Sequence, residues 1–343
     1  MSEDFDWTKI LAILFVFLLG FVVFLYGSSG QAPPSSSTTS SSRTTTTSTP
    51  PSSSSVNWAN LRGVNYNWPS VRAGSAPSPP PSVSFPLMVA DGFNFIRVPL
   101  SISLAQSNLS TFIPALTTLA NAADSYGLSV VYLQSDWDVG AQSTWASIMS
   151  TFWQPVIGVV DSHPSTIGYE PVNEPSVGGS TLQAYLQYFS TQIRALSDKA
   201  IVLGSSNDDG SPSSGIMPTG VSNLVITVHS YGGNPSNAFA GWASTAASMG
   251  VPVLLGEFGP CAVTPCGIAP SDAQSNINTY VQAAHAYGFA MAYWFWGCAD
   301  PGSSGSYNPQ PLLATACDGT ANPVLNYLTS AYTGGTPVSS PLQ

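Results

Sequence analysis

The chain has 343 residues, of which 7% are charged, with 17 acidic side chains against 7 basic ones. An average soluble protein has about 25% charged residues, and this acidic balance excludes the basic surface that binds nucleic acid, so we expect no nucleic-acid partner. The low charge density also limits self-repulsion at low pH, which favours a fold that tolerates acid.

Residues 1–30 contain an uncharged apolar run, Ile10 to Tyr26, that is just long enough to span a bilayer as a helix. The head of this segment carries Glu3, Asp4 and Asp6, whereas a secretory signal normally has a basic head. The pattern favours a retained membrane anchor, with a cleaved signal as the alternative. We therefore expect an extracellular protein that is anchored by its N-terminal helix, or secreted after cleavage.

Residues 31–55 are almost entirely Ser, Thr and Pro. This composition cannot bury a core and is typical of a disordered, extended stalk. Residues 56–333 are rich in apolar and aromatic side chains, and their number is near the roughly 250 residues of one (β/α)8 barrel. The sequence thus predicts one catalytic domain, which we expect to be monomeric, and a flexible tail over 334–343.

Short apolar runs alternate with longer helical patterns from Leu61 onward, which is typical of βα units around a parallel sheet. We predict an α/β fold, a closed (β/α)8 TIM barrel, with an open doubly wound sheet as the alternative. The eight predicted strands are Leu61–Tyr66, Asn94–Leu100, Ser129–Ser135, Ile167–Asn173, Ala200–Ser205, Leu224–Ser230, Val253–Glu257 and Phe289–Phe295.

Glycines and small polar residues mark the ends of several predicted helices. A glycine in the left-handed conformation commonly follows the last helical turn. Such glycines precede four predicted strands, at Gly92, Gly127, Gly250 and Gly288. Two spacings predict capping boxes at helix starts, Ser180 with Gln183 and Ser271 with Gln274.

Polar and aromatic side chains cluster at the carboxyl ends of the predicted strands, where the active site of such a barrel lies. Carboxylates, an arginine, amides and tryptophans suit a sugar, because its hydroxyls need hydrogen-bond partners and its ring faces need a flat apolar surface. These residues are Asn65, Trp68, Arg97, Gln134, Asp136, Trp137, Asn173, Glu174, His229, Tyr231, Glu257, Trp294 and Trp296.

Five motifs and a closing aromatic pair resemble glycoside hydrolase family 5 of clan A, the cellulase and mannanase family. The resemblance covers nearly all of residues 56–333, with the motifs in family order. They are Arg62-Gly63-Val64-Asn65, Ile96-Arg97-Val98-Pro99, Tyr169-Glu170-Pro171-Val172-Asn173-Glu174-Pro175, His229-Ser230-Tyr231, Gly256-Glu257-Phe258-Gly259 and Tyr293-Trp294.

The resemblance implies hydrolysis with retention of anomeric configuration, with Glu174 as acid/base and Glu257 as nucleophile. It further implies roles for five other residues. Asn173 binds the sugar 2-hydroxyl, Arg97 and Tyr231 orient the nucleophile, His229 lines the cleft, and Trp294 forms the floor of the cleaved subsite. Many family members carry a histidine at the end of strand three, where this chain has Gln134-Ser135-Asp136, and this departure leaves the substrate open.

The chemistry agrees with these roles independently, because a retaining glycosidase needs one protonated and one ionised carboxyl about 5 Å apart. Strands four and seven lie on opposing sides of a barrel mouth, so Glu174 and Glu257 can face each other. We expect Arg97 to keep Glu257 ionised, and that charge to favour protonated Glu174. Arg97 has an alternative partner in Glu170, which has the strand parity of Glu174 and points inward lower in the barrel.

The aromatic and histidine assignments each have a structural alternative. A histidine such as His229 is, on its own, more often a packed strand residue than a functional one, and Tyr231 two residues later on the same face strengthens the functional interpretation. Trp294 is expected to be a sugar platform and Trp296 a packing residue. Trp68 and Trp137 either extend the sugar platform or only pack against neighbouring residues near the surface.

We therefore predict a retaining, endo-acting β-glycoside hydrolase that cleaves a β-1,4-linked polysaccharide, first of all β-1,4-glucan. A β-1,4-mannanase or an exo-acting or β-1,3-glucanase is the alternative, and an inactive carbohydrate-binding barrel is more distant. We expect no metal and no cofactor. The expected partners are the polysaccharide and, through the N-terminal segment, a membrane.

The four cysteines have a spacing that matches no standard zinc site. Cys261 and Cys266 lie in the loop predicted after strand seven, and Cys298 and Cys317 flank the loop predicted after strand eight. We predict two disulfides, one within each loop.

Overall fold

The computed structural model describes the chain in eight stretches. They are residues 56–72, 77–136, 139–205, 209–232, 235–260, 272–298, 312–313 and 323–334. The predicted anchor and stalk, and residues 335–343 of the predicted tail, lie outside the described residues and stay predictions. Within the described stretches, no helix combines the length and apolar character needed to cross a bilayer.

Eight parallel strands, all in the described stretches, close into a barrel. Each strand pairs with the next in chain order, and β8 pairs with β1. The closed (β/α)8 barrel is therefore confirmed over the doubly wound alternative. The strands are β1 Arg62–Tyr66, β2 Phe95–Leu100, β3 Ser129–Gln134, β4 Thr166–Glu170, β5 Ala200–Leu203, β6 Leu224–Tyr231, β7 Val253–Gly259 and β8 Ala290–Trp296.

The predicted end of the fourth strand is wrong by three residues. Sequence reasoning extends this strand to Asn173, but β4 ends at Glu170. The next residue, Pro171, has no backbone N–H to donate to the ladder. Asn173 and Glu174 consequently lie in the loop after β4, where the backbone is free to adopt non-strand conformations.

Helices alternate with the strands around the barrel. The α-helices with described bounds are α1 Pro81–Ala90, α2 Ile102–Ser107, α3 Leu109–Tyr126, α4 Trp145–Ile148, α5 Gln154–Val160, α6 Gly179–Arg194, α7 Ser236–Met249, α8 Ala273–Ala286 and α9 Pro323–Gly334. A π-helical segment, Met149–Trp153, joins α4 to α5, and short 3-10 turns occur at Trp58–Asn60, Gln142–Thr144 and Ser214–Ile216.

The predicted helix ends agree with the structure better than the predicted helix starts. The four glycines before strands all have left-handed φ values, between +67° and +83°: Gly92, Gly127, Gly250 and Gly288. The Ser180 capping box is wrong, because α6 begins at Gly179 after Gly178 and has no side-chain cap. Ser180 therefore lies inside the first turn, and Ser271 lies outside the described residues.

Two apolar clusters lie on the two faces of the strands. Alternating residues separate them, so that Val130 and Tyr132 pack outward against the helices while Val131 packs inward. The inner cluster takes residues from β2 to β8 and is closed from below by Trp58 and Leu61. Strands that are apolar on both faces are what a barrel enclosed by helices requires.

Cys298 is buried beyond β8, where its backbone forms an isolated bridge with Leu313. Its sulfur is in a disulfide bond. Cys261, Cys266 and Cys317 lie outside the described residues, so the predicted pairing stays a prediction.

Candidate active site

Arg97, fully buried on β2, uses all five N–H donors of its guanidinium. Nε and Nη2 donate to the two carboxylate oxygens of Glu170 at 2.8 and 2.5 Å. The other three hydrogens reach Asn65 Oδ1 at 2.9 Å, Glu257 Oε1 at 2.9 Å and Asn173 Oδ1 at 2.7 Å. Burial acts to lower the pKa of Arg97, but the charges of Glu170 and Glu257 raise it overall. Arg97 is a permanent cation.

Glu257 receives one donor on each carboxylate oxygen. Arg97 contacts Oε1, and the hydroxyl of Tyr231 donates to Oε2 at 2.6 Å. Burial, followed by the negative charge of Glu257, raises the pKa of Tyr231 well above its usual range, so the hydroxyl stays protonated. The pairing of β6 with β7 sets His229 opposite Glu257. The two hydrogen bonds hold the Glu257 carboxyl group in one orientation.

Glu174 differs from Glu257 in its backbone and its exposure. Its φ is +41°, in the left-handed region that side chains rarely adopt. Its backbone N–H donates to Asp209 Oδ2 at 2.8 Å, and its Oε1 lies 2.9 Å from His229 Nδ1. The side chain is 22% exposed, against 5% for Glu257. Glu174 is thus the carboxylate of the two that opens more to solvent.

His229 lies between the two glutamates. One oxygen of Glu174, one oxygen of Glu257 and a ring nitrogen of His229 are all within 4.8 Å of one another. Burial lowers the pKa of His229 to about 4, although the charge of Glu257 acts to raise it. The imidazole is therefore neutral at neutral pH and can hydrogen-bond without adding a positive charge.

Gly256 makes room for this histidine. A Cβ at position 256 would lie 2.3 Å from Thr227 Oγ1 and 3.1 Å from His229 Nε2. Real Cβ atoms essentially never approach another atom as closely as 2.3 Å, and a contact of 3.1 Å is tighter than most. The glycine before Glu257 is consequently needed for the close packing of β6 on β7 at the site.

Of the predicted tryptophans, Trp294 and Trp68 are half-buried and Trp296 is fully buried. The guanidinium of Arg72 covers Trp294, with its central carbon 5.3 Å from the ring centroid. Trp296 packs edge-on against Phe93. Trp68 packs against the outer apolar cluster. Trp137 lies outside the described residues, so its predicted place in the platform stays a prediction.

The end of β3, where the chain departs from the family pattern, contributes polar groups with local partners. Gln134 is buried, and its Oε1 accepts a hydrogen bond from Tyr185 at 3.1 Å. Asp136 Oδ2 accepts the backbone N–H of Ile102 at 3.2 Å, at the start of α2. Asp136 therefore has a structural contact, and the pair that faces across the cleft is Glu174 and Glu257.

The structure adds Asp209 to the predicted site and shows the partners of Asn65. Asn65 accepts from Arg97 and donates its amide to the backbone oxygen of Gly256 at 2.8 Å. Its place at the end of the first strand, as the last residue of the motif Arg62-Gly63-Val64-Asn65, was the signal for it. Asp209 contacts Glu174 from a segment rich in Ser, Asn, Asp and Gly. Such a composition looks like an ordinary loop, so nothing in the sequence marked Asp209.

A (β/α)8 barrel with two carboxylates held at its carboxyl end, one by arginine and tyrosine and one by histidine, has the architecture of a glycoside hydrolase. The family model "Cellulase (glycosyl hydrolase family 5)" matches residues 52–300. The chain therefore belongs to glycosyl hydrolase family 5, and the resemblance seen in its motifs is confirmed.

Solved structures of this architecture are similar over most of the chain. Endoglucanase Cel5A of Pseudomonas stutzeri in complex with cellobiose is 16% identical with a TM-score of 0.64, covering 82% of this chain and 94% of its own. The catalytic domain of Thermobifida fusca endoglucanase Cel5A is 18% identical with a TM-score of 0.60, covering 80% and 91%. Cellulose synthase subunit Z of Clostridioides difficile is 16% identical with a TM-score of 0.63, covering 79% and 99%. A search of curated proteins found no match.

Proposed function

We propose that the protein is a retaining, endo-acting β-1,4-glucanase. The observation that carries the proposal is the facing pair Glu174 and Glu257, with one oxygen of each within 4.8 Å of the other. Retaining glycosidases hold their carboxyl groups roughly 5–5.5 Å apart, whereas inverting enzymes need roughly 6.5–9.5 Å to admit a water molecule between carboxylate and sugar. The short separation favours a covalent intermediate over direct attack by water.

In the first step Glu257 attacks the anomeric carbon while the bond from that carbon to the leaving oxygen breaks. The proton of Glu174 passes to the leaving oxygen, which departs as the hydroxyl of the shortened chain. Arg97 and Tyr231 each hold one oxygen of Glu257, so the attacking group has a fixed orientation. The product of this step is a glycosyl ester on Glu257.

In the second step a water oxygen attacks the anomeric carbon and its proton passes to Glu174. The ester bond to Glu257 breaks, and both carboxyl groups return to their starting state. Glu174 is suited to this exchange because its side chain is the more exposed of the pair. The neutral His229 at 2.9 Å orients Glu174 without holding it permanently ionised.

Substrate contacts follow from the groups that the network leaves available. Asn173 gives its side-chain oxygen to Arg97, so its amide hydrogens are the donors left for a sugar hydroxyl. Trp294 has one ring face covered by Arg72, and we propose that the other face carries the sugar. Trp68 and Trp137 are proposed to extend this platform.

The preference for β-1,4-glucan takes support from the relatives, among which are endoglucanases and one complex with cellobiose. We further propose that a retained N-terminal helix anchors the protein outside the cell and that the Ser/Thr/Pro stalk carries a monomeric barrel to insoluble substrate. The low charge of the chain is compatible with that setting.

A substrate panel tests the proposal. The full chain is assayed on carboxymethylcellulose, glucomannan and laminarin, with the chain lengths of the products recorded. We expect oligosaccharides of mixed length from carboxymethylcellulose, and β-configured products at early times by nuclear magnetic resonance. Faster turnover of glucomannan would favour the mannanase alternative. Release of only the shortest sugars would favour exo action, and α-configured products would exclude retention.

Chemical rescue separates the roles of the two glutamates. Glu257→Ala leaves space beside the anomeric carbon, and added azide should restore activity with an inverted product. Glu174→Ala should slow substrates with poor leaving groups far more than aryl glycosides, and azide should yield a retained product. Asp198→Asn, at an exposed position away from the site, is the matched control. Undiminished activity in both alanine variants would contradict the glycosidase assignment.

A further inference from the structure

Asp209 is a fully buried carboxylate that borders the proposed acid/base. Its Oδ2 accepts the backbone N–H of Glu174 at 2.8 Å, and its Oδ1 accepts the backbone N–H of Ser205 in a short hydrogen bond. Its own φ is +57°. A carboxylate rather than an amide fits this position, since each oxygen accepts a main-chain donor.

The first of these hydrogen bonds acts on a strained backbone. Left-handed φ costs a residue with a side chain about 1–2 kcal/mol, and such conformations persist where the surroundings hold them in place. Glu174 has a φ of +41°, and its N–H is fixed by Asp209. Because the N–H and the side chain share one Cα, Asp209 helps to set the direction in which the carboxyl of Glu174 points.

A second connection runs through His229. Nδ1 of the imidazole lies 2.9 Å from Glu174, and Nε2 lies 3.7 Å from Asp209 Oδ2. Within the described part of the chain, Nε2 is buried without a hydrogen-bond partner. A hydrogen on Nε2 would face Asp209 and leave Nδ1 as an acceptor toward Glu174. Asp209 thus borders both groups that set the proton position on Glu174.

We propose that Asp209 is a positioning residue for proton transfer by Glu174, a role that rests on the proposed glycosidase function. It acts through the main-chain N–H of Glu174 and through the imidazole of His229, and it does not contact the sugar. Removal of the Asp209 carboxyl should therefore lower the rate most for leaving groups that depend most on the proton of Glu174.

The test compares Asp209→Asn with Asp124→Asn in the full chain. Asp124 has the same kinds of partner away from the site: it accepts the backbone N–H of Ser165 at 2.9 Å and contacts His163 Nδ1 at 2.6 Å. An asparagine keeps the size of the aspartate but has one acceptor oxygen. kcat/KM is measured for aryl β-glycosides of the sugar that the wild type cleaves, with leaving groups from dinitrophenol to phenol.

For Asp209→Asn we expect kcat/KM to fall roughly 10- to 100-fold on the phenyl glycoside and less than about 3-fold on the dinitrophenyl glycoside. The larger loss is part of the roughly 10²- to 10⁴-fold that acid catalysis contributes to the rate. Asp124→Asn should match the wild type on the whole series. An equal loss on every leaving group, or no loss at all, would overturn the role.

Two further measurements keep the outcomes distinct. Asp209→Ser has a smaller side chain with one hydroxyl and replaces the asparagine variant should that one not fold; it must show the same dependence on the leaving group. A wild type that cleaves no glycoside would instead refute the proposed function. The positioning role alone would be refuted by a different set of results: the wild type is active, Glu174→Gln abolishes that activity, and Asp209→Asn lowers kcat/KM equally for every leaving group.

Discussion

Arginine is used differently at the two ends of the barrel. At the carboxyl end, Arg97 is fully buried and bound by Glu170 and Glu257. At the amino end, Arg62 is half-buried and donates to the ring of His285 at 3.0 Å and to the backbone oxygen of Asn60 at 3.0 Å. Water can hydrogen-bond to the partly exposed guanidinium of Arg62, whereas the guanidinium of Arg97 contacts only protein groups.

The carboxylate–histidine pairs show the same contrast. Asp124 and His163 are part exposed and in direct contact at 2.6 Å, so the pair is complete in itself. Asp209 and His229 are buried and stay 3.7 Å apart, while His229 turns toward Glu174. At the amino end these polar side chains contact each other directly, whereas at the carboxyl end His229 contacts Glu174 and not Asp209. The site therefore depends on buried charge that must stay paired.

Removal of Arg97 should give the largest difference between the ends. Arg97→Met leaves Glu170 and Glu257 buried without their cation, and losing one partner of a buried ion pair costs about 3–5 kcal/mol. Arg62→Met, the matched variant, should cost about 1 kcal/mol because it removes ordinary hydrogen bonds. Urea unfolding of the full chain, followed by tryptophan fluorescence, measures both. Similar losses at the two positions would contradict the contrast drawn between the ends.

Acid should lower the stability of the fold through His285 at the amino end of the barrel. Burial, followed by the charge of Arg62, lowers the pKa of His285 to about 4 from an ordinary 6.5. The unfolded chain then binds a proton at a higher pH than the folded chain does, so stability is full above pH 6.5 and is lost as the pH falls toward 4. Once solvent screening is allowed for, this loss is on the order of 1–2 kcal/mol, and it opposes the acid tolerance that the low charge density favours.

His285→Gln tests this linkage without changing the proposed site. Its unfolding free energy should fall less than that of the wild type over the same pH window, since glutamine takes up no proton. Thr279→Ser, at a partly exposed position of α8, keeps a hydroxyl that can donate to the backbone oxygen of Ser275; it is the control and should follow the wild type. An equal pH dependence in His285→Gln and wild type would show that His285 does not carry the effect.

The smallest expected effect is a gain at the carboxyl end. Glu174→Gly removes the left-handed strain of about 1–2 kcal/mol, less the loss of the contact with His229. We expect an inactive protein that is up to about 1 kcal/mol more stable. Ser176→Gly, in the same loop and outside the left-handed region, should instead lose about 0.4–1 kcal/mol, because glycine raises the conformational entropy of the unfolded chain. Thermal unfolding measures the stability of both variants. An equal loss of stability in the two would show that the backbone at Glu174 is not strained.

Local patterns were sufficient to predict most of the framework. Short apolar runs between longer helical patterns marked the strands, and glycines before the strands marked where helices end, because both signals depend on residues near one another in the chain. The motif around Glu174 and the position of Arg97 on the second strand could likewise be recognised from the sequence. The failures were local details that tertiary contacts override, such as the end of β4 at Glu170 and the missing cap at Ser180.

The sequence by itself determined the barrel, its family and the two glutamates. Only the tertiary structure decided how the site is connected: that Arg97 holds both Glu170 and Glu257, and that Asp209 supports Glu174. The physical reason is distance along the chain. Arg97 and Glu257 are 160 positions apart, and Asp209 is 35 positions from Glu174. No periodicity links such positions, and they meet only because the strands close into a barrel.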